Sequence, residues 1–234
     1  MIVYTNGCSH TAGGCYDNHK NRKSWPHIIM KSLVSQFEFN PTIDKSIDSA
    51  LFNDALHGAG NDNIFHTTLE RVTKLIGSDL KPDYVFIQWS GPNRRLYCTP
   101  QGKKLFVNLY DNVEHGVKFE PMGTEHTIHY MFCLQEFLKK HNIEYYFFNY
   151  MEIDKSAKNL SIYNKLDMDK FIDFNIGRPV IESSLLKYIK ENDMACDPAG
   201  HPNDDGNYFI AKKIAKIIDI DLISKDEFFK KTIV

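Results

Sequence analysis

The chain has 234 residues, 42% hydrophobic and 25% charged, an ordinary globular mixture that suits one α/β domain and can bury a full core. A formal net charge of -2 gives no electrostatic footprint for nucleic acid, and no run of about 18 apolar residues is present to span a membrane. The start lacks a signal-peptide pattern, and five cysteines at irregular spacing fit free thiols in a reducing, cytoplasmic setting better than a disulfide framework.

A short apolar run at residues 2–4 predicts a first strand, which stops in Asn6-Gly7 and presents Cys8, Ser9 and His10 before Gly13-Gly14. Residues 24–34 predict a first helix, with Ser24 as N-cap and Pro26 in the first turn, where proline is tolerated. A second strand is expected within residues 49–56. It runs into His57-Gly58-Ala59-Gly60-Asn61-Asp62, and a helix follows with Asn61 or Asp62 as cap and Gly77 as its stop. Tyr84-Val-Phe-Ile-Gln-Trp89 carries the strongest strand signal, continuous and rich in β-branched and aromatic residues, as for a strand buried on both faces. It leads into Ser90-Gly91-Pro92-Asn93-Arg94-Arg95, read as a loop, and residues 97–122 form a long excursion with a hairpin around residues 105–109.

Further on, residues 124–140 predict a helix and residues 143–150 a strand. Residues 151–179 form a second excursion with short helical pieces near Tyr163 and Phe171, of a length often used for lids or binding segments. Residues 180–191 predict a helix, and a last helix starts near Asn207, after a loop holding Asp197 and His201. Strands alternate with helices, so the class is α/β with a mostly parallel sheet. No composition shift divides the chain, so residues 1–234 are read as a single domain.

Parallel strands deliver their following loops to one edge of the sheet, where open α/β sheets bind ligands. Ser9, Gly60, Asn93 and the Asp197–His201 loop can therefore converge. A serine hydroxyl needs a neighbouring base to act as a nucleophile, and a histidine can take that proton and return it to the leaving group. A carboxylate fixes the histidine tautomer. An oxyanion needs donors aimed at it, each worth roughly 3–4 kcal/mol. The assignment is Ser9 as nucleophile, His201 as base and Asp197 as orienting acid, with the N–H groups of Ser9 and Gly60 and the Asn93 amide as oxyanion donors.

These blocks resemble the SGNH hydrolases, the GDSL-like esterases and lipases. Gly7-Cys8-Ser9-His10-Thr11 matches the serine block and Gly58-Ala59-Gly60-Asn61-Asp62 the glycine block. Ser90-Gly91-Pro92-Asn93 matches the asparagine block, and Asp197 to Gly206 the histidine block with its His-Pro-Asn. The resemblance implies a flavodoxin-like, three-layer αβα sandwich and ester hydrolysis through a Ser-His-Asp triad without metal or organic cofactor. Cys8 stands where the family usually has Asp, a position outside the triad. Asp197 lies four residues before His201 instead of the usual three, which leaves Asp193 as the second candidate acid.

The expected substrate is a small-molecule or carbohydrate ester with a small acyl group, its choice shaped by the two excursions. Two other readings use the same crevice: acyl transfer to a sugar hydroxyl by the same residues, and a non-catalytic protein that binds a glycan or a partner. Cys8 is a second possible nucleophile. Cys8, His10, Cys15 and His19 are ligand types, but their spacing matches no closed zinc pattern. Arg94 and Arg95 read either as holders of an anionic substrate group or as a solvated loop edge.

Overall fold

The computed structural model describes residues 1–13, 24–36, 50–98, 104–108, 120–174, 180–194 and 201–230. Its main sheet has four strands: β1 (Ile2–Asn6), β2 (Ala50–Asn53), β3 (Tyr84–Trp89) and β6 (Glu144–Asn149). They lie in the order β2-β1-β3-β6 and every pairing is parallel. In order of appearance this is 2-1-3-4, the flavodoxin-like arrangement. Beside β6, a single parallel bridge joins Phe147 to Phe171, with the Ile172 N–H donating to the Phe147 carbonyl at 2.8 Å. That bridge covers the edge of β6 where a fifth strand would stand.

Alternation along the strands creates two cores. Tyr4, Val85, Ile87, Trp89, Tyr145 and Phe147 face one side, among them the apolar face of α3 (Asn61–Gly77) and α4 (Glu120–Lys140). Val3, Phe86 and Phe148 face the other, against α2 (Trp25–Gln36) and α6 (Asp204–Ile217). Side chains such as Phe86, Phe147 and Ile87 are fully buried, each worth roughly 1.5–3 kcal/mol in water-to-core transfer. The result is a three-layer αβα sandwich whose middle layer is apolar on both faces, which is why β3 reads as an unbroken hydrophobic run.

Several boundaries differ from the sequence reading, each for a local reason. Gly60, not Asn61 or Asp62, is the N-cap of α3. Gly77 is that helix's last residue, and the left-handed position falls on Asp79 at φ 57°. The segment expected as one helix over 180–191 is broken: a 3-10 turn at Val180–Glu182 precedes α5 (Leu185–Glu191), because Ser184 Oγ accepts from the Lys187 N–H and starts the helix afresh. The last long helix begins at Asp204, where Asn203 caps it by accepting from the Gly206 N–H at 3.1 Å. A further short helix, α7 (Lys225–Lys230), follows α6.

The first excursion starts earlier than expected. β4 (Arg94–Cys98) pairs antiparallel with β5 (Lys104–Asn108), from Arg94↔Asn108 to Cys98↔Lys104. Arg94 therefore opens a strand and is not on a loop edge. The helical piece expected near Phe171 ends just before it, at Met168–Lys170. Among the described residues no helix is long and apolar enough to cross a membrane.

Candidate active site

Ser9 is presented by a tight turn at the end of β1. The Gly7 N–H donates to Asn6 Oδ1 at 2.8 Å, and Cys8 in extended geometry caps the four-residue helix α1 (Ser9–Ala12), which Gly13 closes at φ 102°. Thr11 Oγ1 donates to Gln88 Oε1 at 2.6 Å, tying this turn to the end of β3. Ser9 is 5% exposed and His201 6% exposed. Their side chains meet: Ser9 Oγ lies 2.8 Å from His201 Nε2. Residues far apart in sequence thus form a serine–histidine contact of the kind a serine-hydrolase-like arrangement uses.

Cys8 lies beside this contact, its Sγ 3.7 Å from His10 Nδ1. Its side chain is fully buried, with Sγ 3.5 Å from Gln88 Oε1. Burial pushes its thiol pKa up, so the neutral form prevails and Cys8 is a poor nucleophile.

The base side is held by rings and by one amide. His201 lies 4.7 Å from the His10 ring, and His10 lies 4.1 Å from the Tyr150 ring, centroid to centroid. Asn207, on the first turns of α6, donates from Nδ2 to the Pro202 carbonyl at 2.9 Å and accepts from the Trp25 N–H at 3.1 Å. The His201-Pro202 segment is thereby fastened to the start of α2.

The other side is held by directional bonds. Asn61 Nδ2 donates to the Ser90 carbonyl at 3.1 Å and to Thr127 Oγ1 at 2.9 Å, while its Oδ1 accepts from the Ser90 N–H at 2.7 Å. These bonds join the starts of α3 and α4 to the end of β3. Gly60 has an ordinary φ of -86°; its need is for space, because a Cβ there would stand 2.4 Å from the Arg94 carbonyl oxygen. Asn93 follows in the same turn, 3% exposed. Neither its Oδ1 nor its Nδ2 has a partner among the described residues. A buried amide left unsatisfied in this way points to a group that arrives from outside.

The carboxylates stand as follows. Asp197 lies outside the described residues. Asp193 is in a left-handed turn at φ 48° after α5, exposed, and no contact joins it to His201. Cys15 and His19 also lie outside the described residues, and among those described no three His, Cys, Asp or Glu side chains cluster as metal ligands. A groove of about 630 Å³ opens beyond β6, lined in part by Met151, Glu152, Lys155, Glu182 and Lys187. It contains neither Ser9 nor His201, and its glutamates are paired with lysines. The Ser9–His201 contact, not the groove, locates the chemistry.

Sequence reading missed four residues that build this site. Asn61 reads as a cap within the glycine block and Asn207 as a helix start; both in addition bridge segments distant in sequence. His10 carries no signal beyond its place in the serine block and its ligand type, and Tyr150 reads as the end of a strand.

No known family profile matches the chain, and no curated protein matches it. Solved structures do match in fold. An acetyl xylan esterase aligns with a TM-score of 0.54 at 17% identity, over 93% of this chain and 100% of that one. A lipase from a goat rumen metagenome aligns with a TM-score of 0.54 at 12% identity, over 93% and 97%. A catalytic mutant of an acetylxylan esterase from Geobacillus stearothermophilus aligns with a TM-score of 0.51 at 13% identity, over 95% and 96%. At these identities the likeness is one of fold: the chain shares, over nearly its whole length, the α/β architecture of these esterases and lipases.

Proposed function

We propose that the chain is an SGNH-type serine esterase that removes a small acyl group, such as acetyl, from a polar or carbohydrate alcohol. The observation that carries this reading is the 2.8 Å contact between Ser9 Oγ and His201 Nε2. His201 takes the hydroxyl proton as Ser9 Oγ bonds to the ester carbon, then returns it to the departing alcohol oxygen. Water repeats the cycle: His201 takes its proton, the hydroxide attacks the acyl-enzyme, and Ser9 leaves as the hydroxyl while the acid is released. Asp197 is assigned to orient His201. The N–H groups of Ser9 and Gly60 and the unsatisfied Asn93 amide receive the oxyanion.

Two of the structures that share the fold are named acetyl xylan esterases, which supports a small acyl group on a carbohydrate. The test is labelling by a fluorophosphonate probe, read by mass spectrometry, beside hydrolysis of short-chain nitrophenyl esters. Ser9 takes the label, and Ser9→Ala and His201→Ala each lower turnover by about 10⁴-fold or more. A folded chain that takes no label and cleaves no ester removes the enzyme reading and leaves a binding protein built on the same crevice.

A further inference from the structure

We infer that Arg94 is a specificity residue that receives an anionic group on the substrate, so that the preferred ester carries a carboxylate, sulfate or phosphate beside the scissile bond. This rests on the hydrolase reading and narrows its substrate class.

Arg94 stands between the two sides of the site. Its carbonyl abuts Gly60, and Asn93 precedes it in the chain. Its guanidinium lies over the Tyr150 ring, 5.7 Å from Cζ to the centroid. From there the Tyr150, His10 and His201 rings lead to Ser9. Arg94 is half-buried, and among the described residues its side chain makes one hydrogen bond, from Nη1 to a neutral acceptor, Ser90 Oγ, at 3.2 Å. Its charge is felt at Cys8, next to Ser9, where it favours the thiolate against the opposing effect of burial.

No carboxylate meets Arg94 among the described residues. The chain has 30 acidic residues against 28 Lys and Arg, so counter-ions are not scarce. Arg71 is paired with Asp54, Lys187 with Glu152 and Lys139 with Asp167, all on more peripheral ground. An arginine offers five N–H donors in a planar fork suited to carboxylate, sulfate or phosphate oxygens. The Tyr150 ring face, 5.7 Å from Cζ, favours the cation at that position. A partly buried fork with no counter-ion among the described residues, joined to Ser9 through the Tyr150, His10 and His201 rings, is a receptor for an anion that comes with the substrate.

The test uses two ester pairs that differ only in charge. One is 4-nitrophenyl hydrogen succinate against its methyl ester, with the charge on the acyl side. The other is 3-acetoxybenzoate against methyl 3-acetoxybenzoate, with the charge on the alcohol side. The wild-type chain prefers the anionic member of at least one pair by about tenfold or more in kcat/KM, mainly through KM. That ratio collapses in Arg94→Gln, partly returns in Arg94→Lys, and shrinks as salt rises. If Arg94→Gln does not fold, the wild type alone decides: succinate, sulfate and phosphate inhibit competitively where neutral succinamide does not. Turnover of the neutral members with no charge preference in either pair overturns the proposal, as does an equal loss on both members in folded Arg94→Gln. Failure to hydrolyse any of the four, with no label on Ser9, overturns the hydrolase reading and the proposal with it.

Discussion

The two sides of the site belong to different layers of the sandwich and are built differently. Gly60, Asn61 and Asn93 stand on the α3–α4 side, where the Asn61 amide makes three hydrogen bonds at 2.7–3.1 Å. His201 stands on the α2–α6 side, where the Asn207 amide holds the neighbouring Pro202 and the His10 ring lies 4.7 Å from the imidazole, with the Tyr150 ring 4.1 Å beyond His10. Donors to an oxyanion work only if their direction is set before the charge appears, and directional bonds set it. An imidazole that carries a proton from Ser9 to a leaving oxygen needs its tautomer and distance set, a task that the proposed function gives to Asp197 together with the packed rings. For the proposed function, the α3–α4 side shows how a donor frame can be fixed in advance by one amide that bridges three elements.

Asn93→Ala breaks the donor side at its point of action. Turnover falls about 10²–10³-fold, equivalent to roughly 3–4 kcal/mol, while KM changes little. Thermal stability does not fall with it, because the Asn93 amide has no partner among the described residues to lose. A melting temperature that drops in step with the rate assigns Asn93 to structure and removes it from the oxyanion site.

Asn61→Ala breaks the frame behind those donors. It leaves the buried Ser90 N–H and carbonyl without their amide partners, at a cost of about 2–4 kcal/mol. Urea denaturation measures this as a lower midpoint with an unchanged slope. Wild-type stability in this variant means that the three bonds are replaced by water and that the donor side is less fixed than its geometry suggests.

Much of this frame is legible in the sequence because local and global preferences agree there. Residues 84–89 form a strand on every local criterion and are also the buried centre of the sheet, so the reading holds to the residue. Ser9 and His201 could be singled out because their chemistry is scarce and their loops follow strands or precede helices. The rest depends on contacts that no local pattern encodes. Gly60 reads as a turn glycine, yet it is required by the approach of the Arg94 backbone from a strand more than thirty residues on. Arg94 reads as a loop edge because its partner strand, Lys104–Asn108, is separated from it by residues without a clear period. Ser183-Ser184 looks permissive inside a helical stretch, but a serine that can cap also starts a new helix.

Asn207 sharpens the contrast from the base side. Its amide uses both ends, the oxygen toward the Trp25 N–H and the nitrogen toward the Pro202 and Asn203 carbonyls, so two substitutions separate them. Asn207→Ala loses all three contacts and costs about 1–3 kcal/mol. Asn207→Asp keeps an acceptor for Trp25 and places a negative charge in the first turn of α6, where the helix field favours it, so part of the stability returns. It cannot donate to Pro202. The informative quantity is the fluorophosphonate labelling rate of Ser9 per folded molecule, since a purely structural role leaves that rate unchanged. If Asn207 positions His201 through Pro202, the rate falls about tenfold in both variants, the order expected for a small misplacement of a catalytic group. Stability then recovers in Asn207→Asp and labelling does not. Equal labelling per folded molecule in wild type and both variants means that the Asn207 amide does not position the imidazole.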